Sequence, residues 1–82
     1  MYLVFDLSGA GNPAYPSYYL HQEFDRWSER YQIPYRTKYH KDRLRLILSN
    51  DSEYHFFMLT WNPDATLPRQ WAEFTVVDPP KH

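Results

Sequence analysis

Cysteine is absent from the 82-residue chain. That excludes a disulfide framework, a thiolate zinc site and a cysteine nucleophile, so packing alone must hold the fold. Glycine is nearly absent: only Gly9 and Gly11 occur, both in one loop. No apolar run approaches the roughly 20 residues that span a bilayer. The amino end carries neither the basic flank nor the long apolar stretch of a secretion signal. The chain therefore reads as a soluble, unsecreted, cytoplasmic protein that starts at Met1 and engages no membrane. Its net charge of only −1 gives no global attraction for nucleic acid. A chain this short has no room for a second core, so residues 1–82 read as a single domain.

What is present is ring surface. Hydrophobic residues make up 43% of the chain and aromatics 20%, so nearly half of the apolar set carries large rings, eight of them Tyr with a polar tip. Such rings suit a compact core that also offers binding surface. With 23% charged residues the composition is that of a folded domain rather than a disordered one.

Periodicity orders the elements. Leu3, Phe5 and Leu7 alternate with Tyr2, Val4 and Asp6, the period-two pattern of a strand. Residues 8–16 hold both glycines and two prolines and read as a loop. From Ser17, the expected N-cap, Leu20, Phe24, Trp27 and Tyr31 recur on one helical stripe, and Pro34 disfavours helix at Ile33. Residues 35–49 form two alternating segments around Lys41-Asp42. A two-residue turn there pairs His40 with Arg43, Tyr39 with Leu44, Lys38 with Arg45, Thr37 with Leu46, Arg36 with Ile47 and Tyr35 with Leu48. One face then carries Tyr35, Thr37, Tyr39, Leu44, Leu46 and Leu48, taken as core. The other carries Arg36, Lys38, His40, Arg43, Arg45 and Ile47.

Residues 54–61 are almost continuously apolar and suit either a buried strand or a helix. The helix is favoured by Asn50 and Glu53 as a capping box, by Asp51 and Glu53 near its positive end, and by a stripe of Tyr54, Phe57, Met58 and Trp61. A polar loop then leads to Gln70. Phe74 and Val76 alternate with Glu73, Thr75 and Val77 in a last strand closed by Pro79-Pro80. The order βαββαβ predicts an α+β ferredoxin-like plait, a four-stranded antiparallel sheet ordered 4-1-3-2 with both helices on one face. The alternative is βαβββ, one helix across a sheet, which leaves the hairpin unchanged.

The segment 43–61, RLRLILSNDSEYHFFMLTW, joins an alternating strand, an acidic capped turn and the spacing Y-x-x-F-x-L-x-W of Tyr54, Phe57, Leu59 and Trp61. It resembles small accessory proteins encoded by tailed bacteriophages. That resemblance implies a stoichiometric binder, acting in the host cytoplasm on a host or phage macromolecule and inhibiting it, rather than a catalyst.

Charge is unevenly spread. Arg30, Arg36, Lys38, Lys41, Arg43 and Arg45 are opposed only by Asp42 over residues 30–45, whereas the rest of the chain is acidic. The hairpin register sets Lys38 against Arg45, with Arg36, Arg43 and His40 extending the patch. Like charges facing each other across strands destabilise a sheet by up to about 1 kcal/mol, a cost that an anionic partner relieves. The competing role is a solvated basic edge that discourages sheet-to-sheet aggregation. Arg36, Lys38, His40, Arg43 and Arg45 are thus the candidate partner-binding residues. An acidic protein surface is the first expected partner and nucleic acid the alternative. Against nucleic acid, Tyr2 is the only ring expected on the open face, no RNP1 pattern occurs, and Asp6 and Glu73 on neighbouring strands repel phosphate. Tyr18, Tyr19 and Trp71 are candidate exposed anchors, and an aromatic surface beside an open sheet also suits a homodimer.

Other chemistry finds no support in the pattern. The loop Ser8-Gly9-Ala10-Gly11-Asn12 lacks the Gly-Lys-Ser/Thr ending of a P-loop and the third glycine of a dinucleotide fingerprint, so it reads as a turn. His21, His40, His55 and His82 lack metal-ligand spacing. Asp51 and Glu53 are helix-end charges rather than a general acid and base. No catalytic residue, cofactor or metal is expected.

Overall fold

A computed structural model describes residues 1–9, 11–12, 14–63 and 68–78. Ala10, positions 64–67 of the expected polar loop, the Pro79-Pro80 pair expected to close the last strand, and His82 lie outside the described residues.

Strand β1 (Tyr2–Asp6) alternates as its sequence dictates, with Leu3 and Phe5 fully buried and Asp6 exposed. Helix α1 (Ala14–Tyr31) starts three residues before Ser17, the expected cap. The earlier start is compatible with Pro16 because the first helical turn has no use for the N–H that proline lacks. Pro16 is itself fully buried. The Ser17 carbonyl accepts a bond from His21 Nδ1 at 2.8 Å. Because a carbonyl can only accept, this places a proton on Nδ1. His21 Nε2 then meets Thr37 Oγ1 at 3.1 Å, tying α1 to the sheet. The expected stripe is the buried one: Leu20, Phe24 and Trp27 are inside and Tyr31 packs at the margin. The helix ends where Gln32 turns left-handed at φ 57°. The Ile33 N–H reaches back to the Ser28 carbonyl at 3.2 Å, a Schellman closure.

Strands β2 (Arg36–His40) and β3 (Arg43–Ile47) form the expected hairpin, pairing His40 with Arg43, Tyr39 with Leu44, Lys38 with Arg45, Thr37 with Leu46 and Arg36 with Ile47. Lys41 takes a left-handed φ of 55°, which costs a lysine roughly 1–2 kcal/mol. The Leu7 N–H holds the turn from the neighbouring strand by bonding the Asp42 carbonyl at 2.6 Å.

Residues 54–60 resolve as helix, with Trp61 as its C-cap. In α2 (Asp51–Thr60) the Glu53 N–H donates to Asn50 Oδ1 at 2.9 Å. The return half of the box is displaced by one residue, since Glu53 Oε1 accepts from the Ser49 N–H at 3.1 Å rather than from Asn50. Tyr54 and Phe57 are buried, and the Tyr54 hydroxyl accepts the Leu48 N–H at 2.9 Å. Leu59 points to solvent at 86% exposure, so the Y-x-x-F-x-L-x-W spacing is not a single packed stripe.

The end of the chain departs from expectation. Between α2 and the last strand lies a one-turn helix, α3 (Arg69–Ala72), where a polar loop followed by strand was expected. It places the Ala72 carbonyl 2.9 Å from the Trp61 indole N–H, satisfying a half-buried polar atom. Strand β4 is accordingly reduced to Thr75–Val77. Phe74 precedes it and turns inward to meet Phe5 and Phe57 at centroid distances of 6.0 and 6.1 Å.

The four strands form one antiparallel sheet in the order β2-β3-β1-β4, which read from the other edge is 4-1-3-2. With the helices this is an α+β architecture compatible with a ferredoxin-like plait, supplemented by α3. Rings from the sheet and both longer helices fill the layer between them: Phe5 meets Phe24 edge-on at 5.2 Å, and Phe57 stacks on Trp61 at 4.8 Å.

The expected core face of the hairpin holds for Leu44, Leu46 and Leu48 but not fully for its partner strand. Tyr35 and Thr37 are half-buried, and Tyr39 is 49% exposed. The register is as expected; the cause lies in topology, because β2 is the outermost strand and its side chains have a neighbouring strand on one side only.

Candidate functional site

Alternation along each strand and the observed register together decide what shares the open face of the sheet. Leu3, Phe5, Leu44 and Leu46 face the helices, so Tyr2, Val4, Asp6, Arg43 and Arg45 face away. Across the hairpin, Arg36, Lys38 and His40 join them. All five residues expected at the site thus lie on one side of the sheet, and Arg36, Lys38, His40 and Arg43 are exposed.

Lys38 stands directly opposite Arg45, with no carboxylate between them in the ladder. Arg45 is half-buried because its guanidinium lies over the Tyr2 ring, 4.9 Å from the centroid. This cation–π contact draws the Arg45 charge toward β1. Arg43 has His40 on one side and Asp6 on the other. Asp6 is the one carboxylate that the ladder sets beside the patch. Its carboxyl is held below the ordinary aspartate range, first by the bond from the Ser8 N–H at 2.9 Å, then by the Ser8 side chain, and last by the charge of Arg43. Glu73, expected on the neighbouring strand, lies before β4, where it pairs with Arg69 at 3.7 Å.

The face is therefore divided. Its β2–β3 half is cationic, and its β1–β4 half is mostly uncharged, formed by Tyr2, Val4, Thr75 and Val77 with Asp6 at one end, around a shallow depression of about 280 Å³ that His40, Arg43 and Arg45 border. This half is visible in the alternation of β1 and β4, though the distribution of charge alone does not mark it. No family model, curated protein or solved structure matches the chain. This face has competitors elsewhere on the molecule.

The competitors are weaker. A cleft of about 80 Å³ between α1 and the end of α2 contains Glu23, Arg26, Arg30, Trp27 and Trp61. It holds the volume of only a few waters, and its polar groups already have partners: Glu23 pairs with Arg26 at 3.3 Å, and the Trp27 indole N–H donates to Thr60 Oγ1 at 2.8 Å. Among the described residues no cluster of His, Asp and Glu is arranged to hold a metal ion, and no helix is long and apolar enough to cross a membrane. Of the expected anchors, Tyr18 is 62% exposed whereas Tyr19 and Trp71 pack against the core margin. Tyr15, assigned to a loop by sequence, is 60% exposed and meets Tyr19 edge-on at 4.9 Å. The bond between these two hydroxyls is the main cause that pushes the Tyr19 phenol up. These tyrosines belong to the helical layer, not to the basic face.

Proposed function

We propose that this protein is a non-catalytic binding module, built on a ferredoxin-like plait, that docks the open face of its sheet onto an acidic surface of another protein and occupies that surface. The observation that carries the reading is the uncompensated juxtaposition of Lys38 and Arg45 on a face that also exposes Arg36, His40 and Arg43. Beside them lies the apolar strip of Tyr2, Val4 and Val77. Cations at the rim steer encounter and set orientation, and an apolar centre with an aromatic ring supplies contact energy. A stoichiometric role of this kind is also what the resemblance of residues 43–61 to phage accessory proteins implies.

Triple reversal of Arg36, Lys38 and Arg45 to Glu tests the reading. Capture of acidic proteins from nuclease-treated lysate should be abolished while the circular dichroism spectrum and the melting transition persist. Undiminished capture rejects this surface. Capture that disappears on nuclease treatment transfers it to nucleic acid, for which affinity falls steeply with salt.

A further inference from the structure

The open edge of the same sheet says in what form a partner arrives. β2 is the outermost strand on its side, and among the described residues no other segment pairs with its outer edge. Which backbone groups lie free on that edge follows from one bond. The Leu7 N–H bonds the Asp42 carbonyl, so along the ladder that pairs Phe5 with Leu44 and Leu3 with Leu46 these are the residues whose backbone groups join β1 to β3. Antiparallel ladders alternate the direction of these groups residue by residue. Arg43 and Arg45 therefore direct theirs toward β2, where they meet His40 and Lys38. The N–H and C=O groups of Thr37 and Tyr39 are left pointing outward.

That edge carries a charge code. Arg36, Lys38 and His40 occupy alternate positions on the open face, roughly 6.6–6.8 Å apart along the strand. A strand added to this edge would set its residues opposite these three in the non-hydrogen-bonded sites, where side chains approach most closely. On the helix side its intervening residues would lie beside Thr37 and Tyr39, and Tyr39 is 49% exposed. A second copy of this chain adding through β2 would bring its own Arg36, Lys38 and His40 against the first set, which like-charge repulsion opposes. Charge complementarity selects an acidic strand instead.

We infer that the partner engages through an extended segment with carboxylates at alternate positions and apolar residues between them, which adds antiparallel to β2 and bonds the outward backbone groups of Thr37 and Tyr39. This deepens the docking reading and rests on it. The recognition mode is strand addition, in which the backbone gives affinity and alternate side chains give specificity.

Amide hydrogen exchange of the full chain, followed by NMR at low salt, tests it with three blocked peptides: Thr-Glu-Val-Glu-Val-Glu-Thr, its isomer Thr-Val-Glu-Glu-Glu-Val-Thr, and the first peptide N-methylated at both valines. The alternating peptide should slow exchange at Thr37 and Tyr39 at least tenfold, and the other two should not. Tyr39→Pro removes an outward N–H that β3 does not use, so the variant should fold and lose this protection at Thr37. If that variant fails to fold, the N-methylated peptide makes the same distinction. No protection by the alternating peptide, or equal binding of the isomer without protection, overturns strand addition while the docking reading stands on its own capture test. Protection that grows with protein concentration in the absence of peptide assigns the edge to a second copy and overturns the inference. Protection by a single-stranded oligonucleotide but not by peptide overturns it as well. Undiminished capture by the triple-reversal protein, by contrast, removes the docking reading itself.

Discussion

The Arg45 guanidinium rests over the ring of Tyr2, 4.9 Å from its centroid, so the centre of the cationic face is anchored to the strip of apolar side chains beside it. Removing the ring should release the charge. Tyr2→Ala is expected to cost about 0.5–1 kcal/mol for the lost cation–π contact at this half-buried site, beyond the lost packing of the ring. It should also weaken capture of acidic partners even though every cation is retained. Chemical denaturation and a binding assay on the same variant check both parts.

Lys38→Glu separates a binding surface from a merely protective edge. The substitution turns a repulsive cross-strand pair with Arg45 into an attractive one, so stability should rise by a few tenths to about 1 kcal/mol. Partner affinity should fall at the same time. A gain in melting temperature with unchanged capture would show that the repulsion serves only to keep sheets apart.

Acid titration should single out Asp6. Its folded carboxyl lies below the ordinary value because it accepts the Ser8 bonds and neighbours Arg43. Its contribution to stability is therefore present above the unfolded aspartate value near 4 and disappears as pH falls through the lower folded value. The stability difference between the wild type and Asp6→Asn should accordingly narrow on acidification below about pH 4. Thermal melts at several pH values measure it, and a difference that stays constant contradicts the assignment.

At the other end of the scale, the Tyr35 hydroxyl donates to Asp25 Oδ1 at 2.5 Å, joining the approach to β2 to α1. Burial, followed by that bond and the Asp25 charge, raises the phenol well above its usual range. Its stabilisation is complete below the unfolded tyrosine value near 10 and is lost as pH rises through the higher folded value. Tyr35→Phe should cost about 1 kcal/mol at neutral pH and remove this part of the alkaline sensitivity. Denaturant titrations at neutral and alkaline pH are the check.

Phe57 is the keystone of the ring cluster, fully buried and in contact with Phe24, Trp27, Trp61 and Phe74. Phe57→Ala should cost about 3–5 kcal/mol. In a domain this small that is a large share of a total of roughly 5 kcal/mol. Urea denaturation should show a loss of most of the native stability, whereas Leu59→Ala, its place in the Y-x-x-F-x-L-x-W spacing notwithstanding, should change it by no more than about 0.5 kcal/mol because Leu59 faces solvent.

The hairpin was legible in five of its six expected pairs; the ladder ends at Arg36 and Ile47, leaving Tyr35 and Leu48 outside it. A side-chain period of two joined to a two-residue turn leaves one register in which both strands agree on their faces, and a slip by one position would bury Arg45 and expose Leu46. The capped start of α2 was legible because Asn50 and Glu53 act over three residues. Pro16 misled the placement of α1, since the same residue closes a loop or sits in a first helical turn with equal local ease. Nothing local marked α3. Its single turn finds its use in the Trp61 indole, eleven residues away in the chain.

By itself, then, the sequence determined the strand pairings of the hairpin, the buried stripe of α1 and the gathering of Arg36, Lys38, His40, Arg43 and Arg45 on one side, because periodicity and turn length act over a few residues. Tertiary structure alone decided that Tyr39 is half in water and that a helical turn precedes β4; it settled as helix the run that the capping box favoured, and it put β2 at the edge that the order 4-1-3-2 expects, with open backbone groups. Those outcomes depend on which surface each segment meets. A continuous apolar run is buried equally well in either conformation, and a strand has no edge until its neighbours are in place.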